Sequence, residues 1–240
     1  MNDEFYIGYL PKAPPQTARI VRYTVTALAA AALSVAAILL AGQSAFPAAT
    51  FEFGQYREYA GKIETWPYAS LLTGNGRFLL VGPGKHGVAE LFRNGAGHSV
   101  SLKGSHIFRG DDHLLEIIPA SLKIDGSIAS PTAAPEALGP VKMTGEIVDT
   151  KCFLGVMNPG NGKVHRDCAA RCISGGIPPA LLVRDRDGAT RLMLLAGKGG
   201  RPLHEEILQF VAQPVEMSGM LYRVHGDLVL MAEPSDFRRE

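Results

Sequence analysis

The sequence predicts a mainly β protein: an N-terminal transmembrane helix, then two small OB-like β-barrel domains, the second with one or two short helices. Three observations predict it. Glycine and proline are plentiful and aromatics modest, which suits short strands joined by turns more than a helix bundle. One charge-free run near the N-terminus is long enough to cross a bilayer. The rest of the chain carries one pattern of strand signals twice.

Residues 1–22 read as a cytoplasmic tail and residues 23–41 (YTVTALAAAALSVAAILLA) as the membrane anchor. About nineteen residues at 1.5 Å each cover a hydrocarbon core of roughly 30 Å. Arg19 and Arg22 stand just before this run, Lys12 lies further back, and the first charge after it is Glu52. Positive charge on the N-terminal flank predicts a single pass through the inner membrane, with the body in the periplasm or outside. A cleaved signal peptide is the rival reading. Cleavage after Ala45 would set Gln43 at −3, where a small residue is wanted, so a retained signal-anchor is preferred.

The first copy of the repeat falls within residues 50–124. It runs GKIETWPYASLL, RFLLVGPGKHG, then SVSLKGSHIFRGDDHLLEI. The second, within residues 142–240, runs GEIVDTKCFLG, ALLVRDRDGATRLMLL, then PVEMSGMLYRVHGDLVLM. Each has a Gly-x-Ile strand, a Leu-Leu-Val strand, and a Val-x-apolar-x-Gly strand that turns back into another apolar strand. Gly61 should therefore superpose on Gly145, and Val100 on Val215. Residues 125–141, rich in Pro and Ala, read as a linker. Helices are predicted over residues 163–173, stopped by Ser174-Gly175-Gly176 and two prolines, and over residues 202–211, opened by Pro202. Several short strands with few helices point to a small closed barrel.

All three cysteines and one histidine gather in the second copy as Cys152-x12-His165-x2-Cys168-x3-Cys172. On a helix His165, Cys168 and Cys172 share one face, with Cys152 arriving from a strand or turn upstream. Outside the cytoplasm thiols tend to pair, and an odd number leaves one over. Cys168 and Cys172 project in parallel from one helix, so Cys152 with either of them is the more reasonable disulfide. Metal binding is the competing reading. Zinc would close a Cys3His tetrahedron, and copper is favoured by soft sulfur. A thiol-redox site is the third, without a Cys-x-x-Cys to support it. Lys151, Lys163, Arg166 and Arg171 would supply positive charge that favours thiolate, although at least two of the four read as a solvated face of the barrel.

The second copy, over roughly residues 142–233, resembles a group of small exported bacterial domains of unknown function. They share Gly-Glu-(Ile/Val)-Val-Asp-x-x-Cys, His-x-x-Cys-Ala-x-x-Cys and Gly-Gly-x-Pro. Here those positions are residues 145–149, Cys152, His165, Cys168, Ala169, Cys172, Gly175, Gly176 and Pro178. The resemblance implies an OB-like fold and a shared site, and no reaction.

Other features read blandly. The glycine-rich stretches 82–87, 158–163 and 197–200 lack the order of a phosphate-binding loop. Trp66, Tyr68, Phe78 and Phe92 read as packing, and His106 and His113 as part of a hairpin with a polar tip. The first copy has no cysteine and places Tyr68 where the second has Cys152, so it reads as a spacer or docking module. A net charge of +1 gives no nucleic-acid surface, and no Ser/His/Asp set or carboxylate pair is spaced for hydrolysis. Three functions remain open. One is a membrane-anchored, non-enzymatic protein binding a metal (zinc or copper) or a metal cofactor, as an accessory subunit of a membrane redox complex. The others are a disulfide-stabilised interaction protein with another protein subunit as partner, and a thiol oxidoreductase.

Overall fold

In the computed structural model the described residues are 13–43, 48–93, 95–128, 134–185 and 188–240. The first twelve residues of the expected tail, the cleavage point after Ala45, the centre of the expected linker and the tip of the 184–188 hairpin lie outside them. The chain divides into two units, Met1–Phe46 and Pro47–Glu240.

The first unit is the helix α1 (Pro15–Ala41), which begins at Pro15, upstream of the expected span, because proline is well suited to a first helical turn. It is long and apolar enough to cross a membrane. Its hydroxyls are satisfied internally: Thr26 Oγ1 donates to Arg22 O at 2.8 Å and Ser34 Oγ to Ala30 O at 2.9 Å. Such pairing is what a hydroxyl needs where water is absent.

The second unit holds two closed barrels. The first contains β1 (Thr50–Phe51), β2 (Arg57–Glu64), β3 (Ser70–Thr73), β4 (Gly76–Val81), β5 (His98–Arg109), β6 (Asp112–Ile117) and β7 (Lys123–Ile128). Strands β2 to β6 close it: β2 pairs with β3 and β5, β4 with β3, and β6 with β5, while β4 and β6 run parallel. The second barrel contains β8 (Glu136–Asp149), β9 (Pro179–Arg184), β10 (Thr190–Ala196), β11 (Pro214–Val224), β12 (Asp227–Met231) and β13 (Phe237–Arg239). Strands β8 to β12 pair in the same order, again with the third and fifth parallel. This five-stranded topology is that of the OB-fold.

The registers also match. Gly61 faces Val100 as Gly145 faces Val215, and Leu79, Leu80 and Val81 face Leu114, Leu115 and Glu116 as Leu194, Leu195 and Ala196 face Val229, Leu230 and Met231. Close backbone approach accounts for the repeated glycines. A Cβ on Gly61 would meet Leu72 O at 2.1 Å, and one on Gly145 would meet Leu182 O at 2.6 Å.

One expectation needs correction. Residues 125–141 are not simply a linker, since β7 occupies their start and pairs with β5, while β8 begins at Glu136 and pairs with β11. Each barrel keeps a buried core of its own, around Ile63, Leu71 and Leu115 in the first and Ile147, Leu195 and Val215 in the second. One buried cluster joins Tyr68, Leu79, Val81, Ile107 and Leu114 of the first to Val148, Phe153, Leu154, Leu182, Leu194 and Val229 of the second. The helix expected over residues 163–173 is α2 (Arg166–Ser174), entered through a tight turn at Lys163–His165. The one expected over residues 202–211 is a short 3-10 helix at Glu205–Phe210.

Candidate metal centre

The site lies in residues 150–178, the connection between the first two strands of the second barrel. After β8 the chain makes a wide helical turn at Cys152–Val156, loops back, and enters α2. Asp149, fully buried, fixes the start of this connection: its Oδ1 accepts the Cys152 N–H at 2.8 Å, and its Oδ2 lies 3.1 Å from His165 Nε2. That contact holds α2 at its N-terminal end. At the other end, Gly175 and Gly176 lead the chain into β9.

Cys152, Cys168 and Cys172 converge. Cys152 Sγ is 3.9 Å from both Cys168 Sγ and Cys172 Sγ, and all three sulfurs lie within 4.8 Å of one another. The periodicity of α2 brings Cys168 and Cys172 together one turn apart, and the wide turn lifts Cys152 to meet them. The thiols are free, so the expected disulfide from Cys152 to Cys168 or Cys172 is not formed. The spacing suits a metal instead. Three thiolates holding an ion at about 2.3 Å stand roughly 3.8–4.0 Å apart, whether the ion is tetrahedral or trigonal. His165 is buried and belongs to a second group with Asp149 and Cys152, within 4.8 Å of one another. It therefore stands beside the sulfur triangle with its Nε2 already engaged by Asp149, the arrangement by which a carboxylate orients an imidazole.

The fourth group at the thiols comes from the first barrel. Lys85 Nζ donates to Cys168 Sγ at 2.8 Å and to Cys172 Sγ at 3.6 Å. Its backbone is fixed by the glycines of both barrels. Gly87 N–H donates to Gly175 O at 2.8 Å, Gly82 N–H donates to His86 O at 2.8 Å, and a Cβ on Gly175 would meet Lys85 O at 1.9 Å. The Lys85 side chain itself is exposed. Hydrogen bonding from Cys152 lowers the pKa of Cys172, against the opposing effect of burial, and Lys85 lowers it further. Cys152 is pushed up by the same hydrogen bond, then by burial and by Asp149. Cys172 is thus the more acidic thiol of this pair, and Lys85 is raised in turn, chiefly through its hydrogen bond to Cys168.

Of the four charges singled out in the sequence, three form the solvated face and the fourth turns away from the thiols. Lys151 points the other way: buried, it donates to Gly82 O at 2.9 Å and Gly84 O at 2.6 Å and pairs with Glu116 of the first barrel. Lys163, Arg166 and Arg171 are exposed. Lys85 escaped sequence reasoning because its thiol partner lies 83 positions away and no local motif marks it. The 82–87 stretch, read as a plain loop, is the one that reaches the site. His106 and His113 do face each other, with ring nitrogens 3.1 Å apart, among the rings of Phe78 and Phe108. Tyr68 and Trp66 pack as expected, and both also bond to the second barrel.

No protein-family model matches the chain, and no curated protein matches it.

Proposed function

We propose that this is a membrane-anchored, exported metal-binding protein whose paired barrels hold a soft metal ion on Cys152, Cys168 and Cys172, in service of a membrane redox system. One observation carries the reading. Three buried or half-buried sulfurs from two separate segments meet at the separation a metal–thiolate site requires. His165 and Asp149 orient the centre from behind, as the outer partners of metal ligands do. The α1 helix, with Arg19 and Arg22 near its start, supports a span with a cytoplasmic N-terminus and the barrels on the far side. The motif positions from Cys152 to Pro178 all fall in the one connection that builds the site, so we extend the reading to the exported domains that this half of the chain resembles.

The test is elemental analysis of the full-length protein extracted from its own membrane, with thiols counted on the same sample. About one metal ion per chain is expected, lost in each of Cys152→Ser, Cys168→Ser and Cys172→Ser and no further in the triple variant, because the ligands act as a unit. A metal-free protein with a single reactive thiol would replace this reading with the disulfide-stabilised one.

A further inference from the structure

We propose that Lys85 makes the thiol site three-coordinate and thereby selects monovalent copper over zinc; this rests on the reading that the three cysteines bind a soft metal. The argument starts from what occupies the fourth corner. Zinc is held by four ligands in a tetrahedron. Cys152, Cys168 and Cys172 supply three. Among the described residues near them, His165 groups within 4.8 Å with Asp149 and Cys152 but not with the full set of three sulfurs, and Lys85 presents an ammonium 2.8 Å and 3.6 Å from two of the sulfurs. A protonated amine has no lone pair to give a metal. It stands against Cys168, the least buried of the three cysteines, without ligating.

Charge points the same way. Three thiolates around a divalent ion leave one net negative charge, and around a monovalent ion they leave two. A fixed cation at hydrogen-bonding distance stabilises the more negative complex more. Soft sulfur already favours copper(I), which does not require a fourth ligand. The placement of Lys85 is built into the fold, because Gly87 and Gly175 bring the two backbones into contact and only glycine at 175 leaves room for Lys85 O. The first barrel, without a cysteine of its own, would therefore set the specificity of a site in the second.

The experiment uses the full-length protein in detergent, without oxygen. Copper(I) and zinc(II) affinities are measured by competition with chromophoric chelators for the natural protein, Lys85→Met and Lys85→Arg. The ratio of copper(I) to zinc affinity should fall about tenfold or more in Lys85→Met, and stay within about threefold in Lys85→Arg, which keeps the charge. X-ray absorption on the copper-loaded natural protein should show three sulfur neighbours. An unchanged ratio in Lys85→Met, or an equal fall in both variants, would overturn the role of Lys85 while leaving metal binding intact. If the natural protein binds neither ion, the metal reading itself fails.

Discussion

The two barrels share topology and register, yet they join their first two strands in different ways. In the first barrel residues 65–69 make the connection, and in the second residues 150–178 do. Each connection reaches across to the other barrel. The short one sends Tyr68, whose hydroxyl donates to Leu195 O at 2.6 Å and accepts the Leu203 N–H at 3.1 Å, and Trp66, whose indole donates to Gly199 O at 2.8 Å. The long one sends Lys151 into the first barrel. Only the long connection has room for a helix, and with the helix come the cysteines. Of two barrels with one topology, one thus keeps this loop short and the other lengthens it into the segment that gathers the three thiols. The barrel with the short loop still reaches those thiols, through the loop that carries Lys85.

Breaking the reciprocal contacts should sharpen this comparison, and the long arm should matter most. Lys151→Met leaves Glu116 and two carbonyls without their buried partner, so a loss of about 3–5 kcal/mol is expected in urea unfolding of the intact protein. A loss under about 1 kcal/mol would show that the inter-barrel plug is dispensable. Tyr68→Phe removes a buried hydroxyl from a backbone donor and a backbone acceptor, and the expected cost is about 1–3 kcal/mol in the same assay. If Tyr68→Phe proved the more damaging of the two, the short connection would be the principal clasp.

The smallest effect concerns the matched turns. Asp112 and Asp227 open β6 and β12, the fifth strands of the two five-stranded closures, and Asp227 pairs with the buried Arg77 of the first barrel. Burial, with Asp227 adding to it, raises the Asp112 carboxyl from 3.8 to about 6. The folded state then holds its proton to higher pH than the unfolded chain does, so this group's contribution falls as pH rises from about 4 to about 6. Asp112→Asn should flatten that fall and leave the protein roughly 1–2 kcal/mol more stable than the parent at pH 7. Parallel pH–stability curves for parent and variant would contradict it.

Much of the architecture was legible because it depends on local rules. The Gly-x-Ile and Val-x-apolar-x-Gly signatures recur since Gly61 and Gly145, paired with Val100 and Val215, each admit a neighbouring carbonyl too close for a side chain. Helix α2 was legible from its glycine and proline stop. The convergence of Cys168 and Cys172 followed from helical periodicity, and Cys152 joined them from upstream as expected. What misled was distance in sequence. Lys151 sits next to Cys152 and looks like its charge partner, but the wide turn sends it into the first barrel. Tyr68 aligns simply with Cys152, yet the strand registers place it at the far end of its connection, just before β3, whereas Cys152 follows β8.

By itself the sequence determined the apolar helix, the two OB-like barrels with Gly61 matching Gly145 and Val100 matching Val215, and the segment where thiols and imidazole gather. Those follow from period, glycine placement and charge-free length, which act within a few residues. The tertiary structure alone decided that a buried cluster joins the barrels, that Asp149 takes His165, and that Lys85 meets the sulfurs. Each of those depends on which surfaces of two folded barrels come into contact, and a pairing 83 positions apart leaves no periodic trace in the chain.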